Sequence, residues 1–256
     1  MHGPRVALAG YAPGVPRESR LQRAARARII ADLLAEEYPG SATELCALRH
    51  DGPFELLVAT ILSAQCTDER VNLVTPELFA RYPDPASLAA AERGELEELI
   101  RSTGFFRSKA SSLINMAAAL EERDGPEDFP TSMEDLTALP GVGRKTANVV
   151  RSVGLDLPGL PVDTHVTRLS RRLKLTAATD PVKIEADLCA LLPEEDWGAL
   201  SLRLILHGRR ICAARKPRCA QCVLAPHCPS AGLDGVAAPS AKARTDPKRK
   251  RNTRAR

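Results

Sequence analysis

Apolar residues along the chain recur with the 3.6-residue period of helices, and no stretch alternates apolar and polar positions long enough to predict a strand. Arg20–Tyr38 is amphipathic, with Leu21, Ile29, Ile30, Leu33 and Leu34 at its apolar positions and Pro39-Gly40 as its stop. Phe54–Gln65 is almost wholly apolar, which predicts a buried central helix. Further helices are predicted over Val71–Arg81, interrupted at Pro76, and over Ala86–Ala91, Glu95–Ser102 and Ser108–Arg123, the last closed by Asp124-Gly125-Pro126. Thr131 opens a short helix with Glu134 three residues on, the spacing of a capping box, and Pro140 ends it. Another helix starts after Gly143 and runs to about Val153; three more cover Thr164–Leu173, Pro181–Leu192 and Glu194–Gly208. Residues 229–256 carry little apolar surface and are expected to be disordered. The fold class is therefore all-α, without a fixed-period repeat.

The chain has 256 residues, 44% of them apolar and 27% charged, which suits one large globular domain or two small ones. No run of 18 uncharged apolar residues predicts a membrane span. No apolar core follows the first charges, so a secretory signal is not expected, although Met1–Arg28 is Arg-rich and acid-poor as transit peptides are. Charge is uneven. Lys242–Arg256 carries a net +7 and Met1–Arg28 a net +5; taken from the overall +4, they leave −8 for residues 29–241. Two basic arms thus flank a mildly acidic body, as nucleic-acid tethers do and as merely solvated ends also do.

Three groups of residues carry chemistry. In Leu139-Pro140-Gly141-Val142-Gly143-Arg144-Lys145-Thr146-Ala147, a glycine turn joins two helices and leaves the second helix's free N–H groups facing whatever lies at the turn. That is a phosphate-binding device, and the bare Gly141 and Gly143 let a nucleic-acid backbone approach closely. A lysine in a helix's first turn is electrostatically misplaced. Lys145 reads either as a phosphate contact or as a nucleophile, its ammonium disfavoured by the helix field and by burial, with a pKa below the ordinary value of about 10.4. Of the five lysines before the basic tail (Lys109, Lys145, Lys174, Lys183, Lys216), only Lys145 starts a helix at a glycine turn. Eighteen residues on, Val162-Asp163-Thr164-His165 opens a helix. Asp163 is an ordinary N-cap taken alone; beside an amine nucleophile, its carboxylate can stabilise an oxocarbenium-like transition state. Cys212, Cys219, Cys222 and Cys228 have gaps of six, two and five residues. Four thiolates suit zinc or a [4Fe–4S] cluster; the single short gap favours the cluster, in a reducing compartment.

Together these motifs resemble the endonuclease III family, bacterial bifunctional DNA glycosylase/AP lyases. Phe54-Glu55-Leu56-Leu57, Leu62-Ser63-Ala64-Gln65, Leu204-Ile205-Leu206-His207-Gly208-Arg209 and Ala214-Arg215-Lys216-Pro217-Arg218-Cys219 add to the likeness, which covers about residues 20–230. It implies a six-helix bundle over 47–157, with a helix–hairpin–helix at about 132–154. A cluster domain would be made of 20–46 and 158–231, and the arms 1–19 and 232–256 lie outside the family pattern. Lys145 would be the nucleophile and Asp163 its assistant. Gly141, Gly143, Arg144, Thr146 and His165 would serve DNA binding, Gln65 would fill the space of a flipped base, and Phe105 would be a second wedge, with Phe106 left to core packing. The four cysteines would hold a [4Fe–4S] cluster. The implied partner is double-stranded DNA carrying an oxidised pyrimidine or abasic site, met by a cytoplasmic, nucleoid-associated monomer. Two other readings fit parts of the pattern. The related adenine glycosylase lacks a lysine at the Lys145 position and needs more than the 28 residues that follow Cys228. A non-enzymatic iron–sulfur DNA-binding protein gives Lys145 and Asp163 no joint task.

Overall fold

The computed structural model describes residues 18–123 and 129–232. The expected stop at Asp124-Gly125-Pro126, the arm before Glu18 and the tail from residue 233 lie outside them. The described residues form twelve α-helices and no strand: α1 (Arg20–Glu37), α2 (Ala42–Leu45), α3 (Gly52–Leu62), α4 (Asp68–Arg81), α5 (Pro85–Ala89), α6 (Arg93–Leu99), α7 (Phe106–Glu121), α8 (Met133–Ala138), α9 (Arg144–Val149), α10 (Thr164–Arg172), α11 (Pro181–Cys189) and α12 (Trp197–Arg210).

Local chemistry sets the boundaries. Ser19 caps α1 through a reciprocal pair with Gln22, and the helix buries Ala27, Ile30, Ala31 and Leu34 at the spacing of one face. α3 buries every residue from Leu56 to Leu62, which makes it the central rod. Three expectations need correction. α4 is not interrupted at Pro76: it starts at Asp68, capped by the Thr67 hydroxyl, and burial of Val71, Val74, Thr75 and Leu78 carries it through the proline. The cap of α8 is Ser132 rather than Thr131, because the Ser132 hydroxyl takes the Asp135 N–H at 2.9 Å, one register beyond the Thr131–Glu134 spacing. α9 does not run regularly to Val153 but passes into a π-turn, Val150–Gly154, where Leu155 N–H reaches the Val150 carbonyl. The short α2 has no apolar period to announce it.

Two apolar cores result. The first is built around α3 and gathers buried residues from Leu48 to Val153, including Leu57, Leu62, Leu113, Met116 and Leu136. The second joins α1 to the C-terminal helices through Ile30, Leu34, Leu169, Ile184, Leu188 and Leu204. A cleft runs between them, with α3, α4 and α9 on one wall and α12 and the start of α10 on the other. No helix among the described residues is long and apolar enough to cross a membrane.

Candidate active site

The hairpin between α8 and α9 uses its two glycines differently. Gly141 has φ +78°, and a Cβ there would stand 2.7 Å from the Ser112 Cβ, so the fold itself demands glycine. Gly143 is extended at φ −93°, and a Cβ would meet nothing within 4 Å. Its bareness serves no contact inside the protein. Arg144 and Lys145 follow, both exposed, with Thr146 half-buried. Arg144 grips Glu185 of α11 with two nitrogens, each 2.8 Å from a carboxylate oxygen. The expectation that burial acts on Lys145 is not met: its side chain stands in the open at the cleft.

Lys145 and Asp163 border the same cleft, although they belong to opposite walls. Asp163 is the N-cap of α10, its Oδ1 accepting the Val166 N–H at 2.8 Å. The cap and the cleft-facing carboxylate are thus one residue, since a single oxygen suffices for the cap. Thr60, Ser63, Leu202 and Ile205 also line the cleft, together with an ion pair absent from the sequence reading. Asp68, at the start of α4, meets Arg209, in the last turn of α12, at 2.9 Å and so joins the two walls. His165 is held at 3.1 Å from Arg168 and lies beneath Gly208, where an added Cβ would come within 2.8 Å of its ring. Burial pushes the His165 pKa down against the opposing pull of Asp163.

Gln65 and Phe105 share an unusual backbone. Both are left-handed, at φ +54° and +49°, a conformation costing on the order of 1–3 kcal/mol for a non-glycine residue and found where the surroundings enforce it. Gln65 is exposed, and Phe105 is 65% exposed, a large apolar ring turned to solvent. Phe106 packs against the first core with the Arg101 guanidinium 5.4 Å from its ring centre. Lys109, one turn into α7, is only 5% exposed and sits beside both strained loops. No sequence pattern singled it out.

The four clustered cysteines line one pocket. The segment carrying them has only two short 3₁₀ turns, Cys219–Gln221 and Ala225–His227. Arg172 donates to the Cys212 sulfur at 3.3 Å and to the Ala213 carbonyl at 2.8 Å. His207 lies between the Tyr38 hydroxyl, 3.0 Å away, and the Cys222 sulfur, 3.3 Å away. Burial holds the His207 pKa at about 4, so the ring is neutral. The same burial pushes the Cys222 thiol up to about 11 and the Cys228 thiol upward. Such thiols ionise when a metal supplies positive charge, which is the chemistry of a four-thiolate iron–sulfur site. Among the described residues, no three His, Cys, Asp or Glu side chains gather as a candidate metal site; the four thiols that line this pocket are the donor type an iron–sulfur cluster takes. Cys46, Cys66 and Cys189 are free thiols elsewhere.

Residues 58–194 match the model of the HhH-GPD superfamily base excision DNA repair protein. Endonuclease III of Synechocystis sp. is 56% identical over 208 residues, spanning 80% of this chain and 93% of that protein. Endonuclease III of Escherichia coli is 37% identical over 208 residues, 81% of this chain and 96% of its own length. A solved structure described as a trapped endonuclease III–DNA covalent intermediate superposes with a TM-score of 0.76 at 39% identity, covering 83% of this chain and 99% of the other.

Proposed function

Because the chain belongs to the endonuclease III family, we propose how its residues divide the work of base excision. The protein is a DNA glycosylase with AP lyase activity. It removes oxidised pyrimidines from duplex DNA and cleaves the strand 3′ to the resulting abasic site. The observation that carries this reading is the pairing of an exposed Lys145 with Asp163 in one cleft between two cores.

Flipping a damaged base into the cleft costs about a few kcal/mol of stacking and pairing, least for a damaged base. Gln65 and Phe105 enter the gap, Phe105 as an apolar unstacking surface. The hairpin of α8 and α9 approaches the phosphate backbone at Gly143, where nothing in the protein occupies the space. The Lys145 amine attacks C1′ and expels the base, giving a Schiff base. Loss of a proton from C2′ then breaks the C3′–O bond by β-elimination. Asp163 stabilises positive charge on the sugar with the oxygen not used in its cap. Cys212, Cys219, Cys222 and Cys228 hold a [4Fe–4S] cluster, which when bound supplies metal–thiolate bonds that fix the loop bearing Arg215, Lys216 and Arg218 for DNA contact. The two cores act as two domains, 47–157 and 20–46 with 158–231. The enzyme acts as a monomer in the cytoplasm, on the DNA of the nucleoid.

Borohydride trapping on a duplex with one oxidised pyrimidine tests the assignment. Wild type forms a covalent adduct and Lys145→Ala forms none. Base release without any adduct in the wild type would make this a monofunctional glycosylase. Neither release nor adduct with iron bound would make it a DNA-binding module.

A further inference from the structure

Among the described residues, Lys109 is the only buried side chain that carries a full charge. Its Nζ donates to the Leu62 carbonyl and to the Thr103 carbonyl, each at 2.8 Å. Its backbone N–H donates to the Phe105 carbonyl at 3.0 Å. Leu62 ends α3, three residues before Gln65; Thr103 ends a 3₁₀ turn, two residues before Phe105. One side chain therefore ties together the two segments from which the left-handed residues depart. The ammonium sits at the C-terminal end of α3, where a helix favours positive charge. Burying it is unfavourable unless its donors are used, and burial does lower its pKa. A methionine could fill the same space without that penalty, so packing alone does not account for a lysine.

We propose that Lys109 is a positioning residue that locks the Gln65 and Phe105 loops into one rigid tip and sets how the two side chains enter the duplex. The proposal rests on the wedge roles assigned above. Lys109 does not border the cleft of Lys145 and Asp163, so it acts through the tip and not on the reacting sugar. Its charge-assisted bonds are directional, which gives the tip a fixed separation as well as cohesion.

The test compares two substrates and two backgrounds. In duplex DNA with an oxidised pyrimidine, the tip must hold the orphaned partner base; in single-stranded abasic DNA no partner exists. Lys109→Met is expected to lower duplex kcat/KM on the order of 10²-fold, as a misplaced positioning group does, while borohydride trapping on the single strand stays within about threefold. Added to the Gln65→Ala/Phe105→Ala pair, it should change duplex activity by less than about threefold, because the residues it aims are gone. Lys109→Gln keeps two donors on a shorter stem and should fall between; it supplies the same comparison if the methionine variant does not fold. Equal losses on both substrates, or losses that multiply in the triple variant, would overturn the proposal. A Gln65→Ala/Phe105→Ala pair that keeps full duplex activity overturns the wedge roles, and the proposal with them. A pair that loses activity while Lys109→Met keeps it overturns the link alone.

Discussion

The first core and the cysteine loop are held by different forces. Around α3, one helix turn after another is fully buried, and removal of apolar surface from water supplies the stability. Between Cys212 and Cys228, only Leu224 is a buried member of an apolar core. That loop hangs instead on arginine-to-carbonyl bonds from Arg168 and Arg172 and on His207. The core is held by apolar burial, whereas the loop is held by polar bonds and, under the proposed assignment, by the cluster its thiols would hold. The two regions should therefore fail separately.

Cys222→Ser is the largest expected break on the loop side. A structural metal contributes on the order of 10 kcal/mol to the segment it folds. We expect loss of visible iron–sulfur absorbance and rapid protease cleavage between residues 212 and 228, with the first core still helical by circular dichroism. A loop that stays protected without iron would refute ligand dependence. Leu113→Ala attacks the other side: Leu113 is fully buried, and the substitution should cost about 2–5 kcal/mol in denaturant unfolding while leaving iron content unchanged. The glycines sharpen the contrast further. Gly141→Ala forces a left-handed alanine against Ser112 and should lower stability by about 1–3 kcal/mol. Gly143→Ala should move stability by less than about 0.5 kcal/mol, as an open surface site does, yet weaken duplex binding in a titration. Asp68→Asn, which breaks the cross-wall pair with a half-exposed Arg209, should cost about 1 kcal/mol or less in unfolding.

Much of this was legible in the sequence. An unbroken apolar run such as Leu56–Leu62 has one physical outcome, burial, and the spacing of four cysteines survives any error in helix boundaries. Pro76 misleads because the rule that proline interrupts a helix takes no account of buried neighbours on the same face. Thr131 and Ser132 are hard to tell apart because adjacent hydroxyls offer the same cap one register apart. The exposure of Lys145 depends on where a turn ends up relative to a second core. Lys109 was illegible for a similar reason: its partner Leu62 is 47 residues away, and nothing periodic connects them.

Arg144 enters solution already neutralised by Glu185. A cation that binds a phosphate ordinarily displaces a condensed counterion, and each such contact steepens the salt dependence of binding by about 0.9 in log–log slope. If Arg144 leaves Glu185 for a phosphate, the abandoned carboxylate must recruit a cation of its own, and the exchange releases almost nothing. This arginine can guide the register of docking while remaining nearly invisible in a salt titration. Glu185→Gln should make it visible, steepening the slope by roughly one contact.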